Sequence, residues 1–230
     1  MTNFVLVAGT WLGAWAWDEV AAELRGAGHD VHPLTLSGLA EKRGVPAGRQ
    51  THVRDIVDEV ERLGLRDVVL VGHSYAGTPV GQAAERIGER LRRVVFVDAN
   101  VPVDGESFLS GWPSDSVRQS ITEHDGFWPP LGAPDYAGQG LTDAQIARIV
   151  DGSPHPGATL TEPAVLAGPL GELPATYVKC LLDGEEPMPA VAELLKSDQW
   201  ELVEMATGHW PMFSEPRELA RVLHASVAGS

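Results

Sequence analysis

Short apolar runs alternate along the chain with segments of helical spacing. The runs that predict strands are Phe4 to Ala8, Asp30 to Leu36, Asp67 to Val71, Arg93 to Val97, Ala175 to Leu182 and Trp200 to Met205. Between them, apolar residues recur every three or four positions, which predicts helices. This alternation predicts an α/β fold, because right-handed crossovers place helices on both faces of a parallel sheet. We expect about six parallel strands in the spatial order 2-1-3-4-5-6.

The predicted helices follow the same rhythm, except in one long stretch. They cover Trp15 to Ala27, His52 to Leu63, the segment after Ser74 to Ile87, Thr142 to Val150, Ala190 to Lys196 and Glu215 to Val227. Residues 101–170 contain nine of the 17 prolines and only one of these helices. We therefore predict one domain whose core comprises residues 1–100 and 171–230, with residues 101–170 as an inserted lid, called the insertion below.

Composition limits the partners of this domain. The 230 residues include 17 Lys and Arg against 32 Asp and Glu, a net charge of −15. That charge repels nucleic acid and anionic lipid, and it disfavours anionic substrates. The chain has no apolar stretch of membrane-spanning length and no pattern typical of a signal peptide. Its single cysteine, Cys180, lies in an apolar run typical of a buried residue, so we predict a cytoplasmic protein and leave a homodimer open.

The strongest local signal is VLVGHSYAG, residues 69–77, where a buried strand turns tightly into a helix. A serine at such a turn has strained backbone angles that project its hydroxyl from the sheet edge. The residues two before and two after must be small, as Gly72 and Ala76 are. Ala76 replaces the usual second glycine of G-x-S-x-G, and Gly77 follows it. Ser74 is the predicted nucleophile.

A serine hydroxyl needs a base to accept its proton, and His209 has the best position for that role. It lies in a Gly-His-Trp-Pro loop before the last helix, at the same sheet edge as Ser74. Two aspartates compete as the acid that orients His209. Asp183 ends the fifth strand and fits the chain order Ser, acid, His, which favours it. Asp98 ends the fourth strand and stays open as the alternative acid.

Hydrolysis by such a serine passes through a tetrahedral intermediate and also needs donors for the developing oxyanion. The loop after the first strand should face Ser74, since strands one and three are neighbours at the topological switch point. The backbone N–H groups of Thr10 and Tyr75 are the predicted donors. Aromatic residues that could line the substrate pocket are Trp11, Trp112, Phe127, Trp128 and Trp210. No cofactor and no metal is expected, because the His and acidic residues lack ligand spacing.

Together these motifs resemble α/β-hydrolase-fold esterases over nearly the whole length. The resemblance lies in FVLVAGTWLGAWAW, VGHSYAG, VDANVP and TGHWPMFSEP. It is greatest to bacterial pyrethroid-hydrolase and salicyl-ester-hydrolase proteins, with plant methylesterases and hydroxynitrile lyases as a more distant branch. The resemblance implies a triad of Ser74, His209 and Asp183, and a lid. This chain departs from the family at Ala8, where His-Gly is usual, and at Leu12, where a second histidine is frequent.

The predicted function is that of a serine carboxylesterase. Its substrate would be a small to medium, uncharged, partly aromatic ester or lactone, cleaved through an acyl-enzyme. The alternatives are a biosynthetic tailoring enzyme (lactone opening, acyl transfer or a non-hydrolytic reaction) and a lyase on the same scaffold. Against a lyase, the cyanohydrin branch has lysine after its catalytic histidine, where this chain has Trp210. A nucleotide-binding oxidoreductase is disfavoured because Gly9 to Gly13 lacks G-x-G-x-x-G spacing.

Overall fold

The computed structural model describes residues 2–110 and 114–227. Its eight strands are β1 (Asn3–Val7), β2 (Asp30–Leu34), β3 (Val68–His73), β4 (Leu91–Val97), β5 (Phe127–Trp128), β6 (His155–Pro156), β7 (Ala175–Cys180) and β8 (Trp200–Met205). Six of them form one parallel sheet in the order β2-β1-β3-β4-β7-β8. The predicted α/β fold, with six parallel strands in this order, is confirmed.

Helices precede or follow each strand of this sheet. They are α1 (Asp18–Gly26), α2 (Arg49–Arg62), α3 (Gly77–Ile87), α4 (Asp115–Glu123), α5 (Asp143–Val150), α6 (Gly157–Thr161), α7 (Pro189–Leu194), α8 (Pro211–Ser214) and α9 (Pro216–Ala225). The sequence pattern does not predict α4, because Val117 is its one buried residue and leaves little apolar periodicity. The predicted last helix, Glu215 to Val227, corresponds to α9, and the separate short helix α8 precedes it and ends before Glu215, whose φ of −139° is not helical.

Two apolar cores cover the two faces of the sheet. Val5 and Val7 of β1 belong to one core, whereas Phe4 and Leu6 belong to the other. Successive strand residues point to opposite faces, so a strand with both faces covered is apolar throughout. Helices α2 and α3 pack on the first face, and α1 and α9 on the second. Cys180 is buried, as predicted.

The insertion packs against the loop that follows β1. Its short strands β5 and β6 form an antiparallel pair. The Trp11 indole N–H donates to the Trp128 carbonyl at 3.0 Å, and the Ser153 N–H donates to the Trp11 carbonyl at 3.0 Å. These bonds hold the insertion over the carboxyl edge of the sheet. In the part of the chain that the structure describes, no helix is both long enough and apolar enough to cross a membrane.

Several histidines are buried within this fold. His52 is fully buried, with Nδ1 2.9 Å from the Tyr75 hydroxyl and Nε2 2.8 Å from the Ser37 carbonyl. Burial lowers the pKa of His52 to about 4 and that of His73 to about 3. Both are therefore neutral in the folded protein at neutral pH.

These lowered pKa values predict a loss of stability in mild acid. Below the ordinary pKa of 6.5, the unfolded state gains protons on these histidines that the folded state does not accept. Their contribution is complete above that pH and is lost as the pH falls toward the folded-state values. For His52 alone, the loss at about pH 5 is about 2 kcal/mol.

Urea unfolding at about pH 7 and about pH 5 tests this. The fall in unfolding free energy should be smaller by that amount in His52→Gln than in the wild type. The exposed His124 provides the control, and His124→Gln should show the wild-type fall. Equal falls in both variants would contradict the prediction.

Candidate active site

Ser74 occupies a strained turn between β3 and α3. Its φ is +54°, a left-handed value that is uncommon for a residue with a side chain. A Cβ atom on Gly72 would lie 3.0 Å from the Ala76 carbonyl oxygen, so strand and helix touch here. A Cβ atom on Gly77 would overlap the Asn100 carbonyl oxygen. Of positions 76 and 77, it is therefore position 77 that requires glycine, whereas position 76 accommodates alanine.

The loops after β1 and β4 enclose this turn. The Asn100 N–H donates to the Ser74 carbonyl at 3.1 Å. A Cβ atom on Gly9 would lie 2.8 Å from the Ser74 Cβ, which brings the β1 loop against the serine. Thr10 and Trp11 from that loop line the same cavity as Ser74. Trp11 also has a left-handed φ, of +67°. Backbone strain of this kind is concentrated at functional sites.

His209 contacts both aspartates that the sequence proposed. Its Nδ1 lies 2.7 Å from Asp98 Oδ2 and 3.3 Å from Asp183 Oδ2. The Asp98 side chain is 3% exposed, whereas that of Asp183 is 44% exposed. Asp98 Oδ1 accepts hydrogen bonds from Lys179 Nζ at 2.8 Å and from the Cys180 N–H at 3.2 Å. Asp98 is thus the nearer and the more firmly held of the two carboxylates.

The charges in this cluster shift one another's protonation. Burial alone would lower the pKa of His209, but hydrogen bonds and charges from Asp183 and Asp98 outweigh it and raise that pKa to about 9. Burial would likewise raise the pKa of Asp98, yet hydrogen bonds from His209 and Lys179 hold it well below its usual range. Asp98 is therefore a carboxylate at neutral pH, and it favours a positive charge on the imidazole.

A cavity of about 300 Å³ lies beside Ser74. His209, Asp183 and three of the predicted aromatic residues line it, namely Trp11, Trp128 and Trp210. Tyr75 follows the serine in the chain. Its side chain is buried away from this cavity, and its hydroxyl is hydrogen-bonded to His52 Nδ1. Trp112, also predicted for the pocket, lies outside the described residues.

The prediction that Phe127 lines this pocket is wrong. Its side chain is 43% exposed and borders a different cavity on the outer surface of the insertion, beside His124. Neighbouring residues of a strand point in opposite directions, so only one of the pair Phe127 and Trp128 can face the site. Trp128 faces it, with its ring 4.5 Å from that of Trp11.

Three side chains that can ligate a metal lie close together at this site: Asp98, Asp183 and His209. One ligand atom from each lies within 4.8 Å of the others. However, the Lys179 ammonium group already contacts Asp98, and both carboxylates contact the same nitrogen of His209. A divalent cation would be repelled by that ammonium group. The arrangement fits an acid-base cluster better than a metal centre.

Comparison with known proteins decides the family. The sequence matches the alpha/beta hydrolase family over residues 4–222. The chain belongs to the alpha/beta hydrolase family.

Individual relatives of this alpha/beta hydrolase match it end to end. A carbendazim-hydrolyzing esterase of Nocardioides sp. (strain SG-4G) is 34% identical, with 98% of this chain and 99% of the relative covered. Methyl jasmonate esterase 1 of Vitis vinifera is 36% identical, with coverage of 98% and 96%. The solved structure of an extracellular alpha/beta-hydrolase from a Paenibacillus species has a TM-score of 0.86 at 25% identity, covering 98% of this chain and 99% of that one. The predicted resemblance to esterases is confirmed, and these relatives support a carboxylic ester hydrolase.

Two residues at the candidate site of this hydrolase were not predicted from the sequence. Lys179 is the one charged residue in β7, and a charge within a buried strand is a signal that could have revealed it. Gln139 of the insertion accepts a hydrogen bond from the His209 N–H through its side-chain oxygen, at 2.7 Å. A glutamine in a glycine-containing loop carries no comparable signal.

The contact at Gly77 predicts the effect of one methyl group. We expect Gly77→Ala to lower the free energy of unfolding by about 2 to 3 kcal/mol, because the new Cβ would collide with the Asn100 carbonyl. Gly26→Ala is the matched control, since a Cβ there meets nothing within 4 Å. Urea unfolding measures both variants. Equal stability of the two would contradict the proposed contact.

Proposed function

We propose that this alpha/beta hydrolase is a serine esterase with Ser74 as nucleophile, His209 as base and Asp98 as the acid that orients the base. The observation that carries the proposal is the 2.7 Å contact between His209 Nδ1 and Asp98 Oδ2, in a cluster that borders the cavity lined by Ser74. Above its raised pKa, His209 is neutral, and the hydrogen bond from Nδ1 to Asp98 then leaves Nε2 to accept a proton.

The choice of Asp98 reverses the preference drawn from the sequence. Chain order favoured Asp183, but its carboxylate is farther from His209 and is partly in solvent, which weakens its field. Asp98 is buried and has a left-handed φ of +42°. A buried carboxylate with defined partners can hold the imidazole in one tautomer and stabilise the imidazolium.

The proposed reaction follows from these positions. Ser74 Oγ attacks the ester carbonyl carbon while its proton passes to His209 Nε2. The N–H groups of Thr10 and Tyr75 are the proposed donors to the developing oxyanion. Collapse of the tetrahedral intermediate breaks the bond to the alcohol, which leaves with the proton from His209. Water then attacks the acyl-enzyme in the same way and releases the acid.

The proposed substrate is a small to medium, uncharged, partly aromatic ester or lactone. Indole rings such as those of Trp11 and Trp128 form an apolar wall that would pack against a flat organic group. The net charge of −15 disfavours anionic esters. Carbendazim and methyl jasmonate, for which two relatives are named, are therefore useful first substrates beside p-nitrophenyl acetate and butyrate. A tailoring reaction or a lyase remains the alternative prediction.

Replacement of Ser74 tests the nucleophile. We expect Ser74→Ala to lower kcat for p-nitrophenyl butyrate by about 10⁴-fold or more, because no acyl-enzyme can form. Ser226→Ala, at the end of α9, is the control and should retain wild-type activity. A fluorophosphonate should label the wild type and fail to label Ser74→Ala. Undiminished turnover by Ser74→Ala would remove this residue from the mechanism. Labelling of Ser74 without turnover of any simple ester would favour a tailoring reaction.

A second pair of variants tests which aspartate is the acid. We expect Asp98→Asn to lower kcat by about 10³- to 10⁴-fold, since an amide cannot stabilise the imidazolium and favours the wrong tautomer. Asp183→Asn should stay within about 10-fold of the wild type, because solvent screens the charge of its partly exposed carboxylate. Thermal unfolding of each variant shows that it is folded. A larger loss in Asp183→Asn would return the role to that residue.

A further inference from the structure

Lys179 is a buried lysine next to the proposed triad. Its side chain is 6% exposed. Its Nζ donates to Asp98 Oδ1 at 2.8 Å and to the Asp183 carbonyl oxygen at 3.2 Å. A buried ammonium group loses its hydration, so it needs partners of this kind in place of water. These two contacts indicate that Lys179 interacts with the candidate site and does not merely pack within β7.

The two oxygens of Asp98 are divided between neighbours on opposite sides. Oδ1 accepts from Lys179 Nζ and from the Cys180 N–H, and Oδ2 is left for His209 Nδ1. The parallel pairing of β4 with β7 produces this arrangement, because the Asp98 N–H donates to the Val178 carbonyl at 2.8 Å. A carboxylate bonded through both oxygens is restrained from rotating.

We propose that Lys179 is a positioning residue of the active site, whose ammonium group fixes Asp98 Oδ1 so that Oδ2 is presented to His209 Nδ1. This inference rests on the proposed function, since it takes Asp98 as the acid. Its contacts run to Asp98 and to the Asp183 backbone, so Lys179 acts through the acid and not on the substrate.

The charge of Lys179 also affects the base. The other titratable groups that contact His209 are Asp98 after β4, Asp183 after β7 and His73 at the end of β3. Asp135 of the insertion lines the same cavity as His209. His73 stays neutral because burial lowers its pKa. Lys179 offsets one carboxylate charge in this group. Without it, the carboxylates would hold a proton on His209 to a higher pH.

The proposal is tested by the pH dependence of kcat/KM for a neutral ester, measured from roughly pH 6 to 10. Lys179→Gln removes the charge, Lys179→Arg keeps it, and Lys196→Met removes an exposed lysine as the control. We expect Lys179→Gln to lower kcat by about 10- to 100-fold and to change KM by less than about 3-fold. We also expect it to move the acid limb of the profile upward by about one pH unit. Lys179→Arg should restore most of the activity and the wild-type midpoint.

A double-mutant cycle with Asp98→Asn covers the case in which Lys179→Gln folds poorly. If Lys179 acts through Asp98, Lys179→Gln should cause no further loss of kcat in the Asp98→Asn background. Equal losses in both backgrounds would overturn the proposal. So would a lowered Tm together with an unmoved pH midpoint, because that result shows a merely structural ion pair. Failure of the proposed function itself looks different: the wild type would hydrolyse no ester, or Ser74→Ala would remain active.

Discussion

The close approach of four backbone segments around Ser74 is the constraint on which the rest of the site depends. Glycines at positions 9, 72 and 77 each occupy a place where a Cβ atom would meet the neighbouring segment. Their absence of side chains allows β3, α3 and the loops after β1 and β4 to meet at one point. That contact holds Ser74 in a conformation with positive φ, which the surrounding packing must stabilise. Parallel pairing then aligns the ends of β4 and β7 beside it, so that Asp98, Asp183 and His209 can meet.

Burial strengthens the electrostatic interactions among these side chains. At the surface, an ion pair between an aspartate and a histidine or lysine contributes little, because solvent screens it. Asp98 is instead enclosed and contacts His209 on one oxygen and Lys179 on the other. Desolvation makes such a group costly unless each oxygen has a partner, and here both have one. The same enclosure accounts for the opposite shifts of the two histidines at this edge: the pKa of His209 is raised by its carboxylates, whereas that of His73 is lowered by burial.

The insertion contributes side chains that line the cavity and a hydrogen bond to the backbone of His209. Trp128 packs against Trp11, and Gln139 accepts the backbone N–H of His209. One segment thus lines the cavity and also holds the loop that carries His209. A change in the insertion would therefore affect the shape of the cavity and the placement of His209, the proposed base, together. This coupling gives the insertion a chemical role, although no proposed member of the triad lies in it.

The sequence by itself determined the sheet, its strand order and the candidates Ser74 and His209, because these depend on local pattern: apolar runs, helical spacing and the small residues at a tight turn. It could not rank Asp98 against Asp183, since both end strands and the difference is one of distance and burial across β4 and β7. Nor could it separate Phe127 from Trp128, whose directions depend on how a two-residue strand meets the core. Tertiary structure decided these points, because which groups share a buried space depends on the packing of segments distant in sequence.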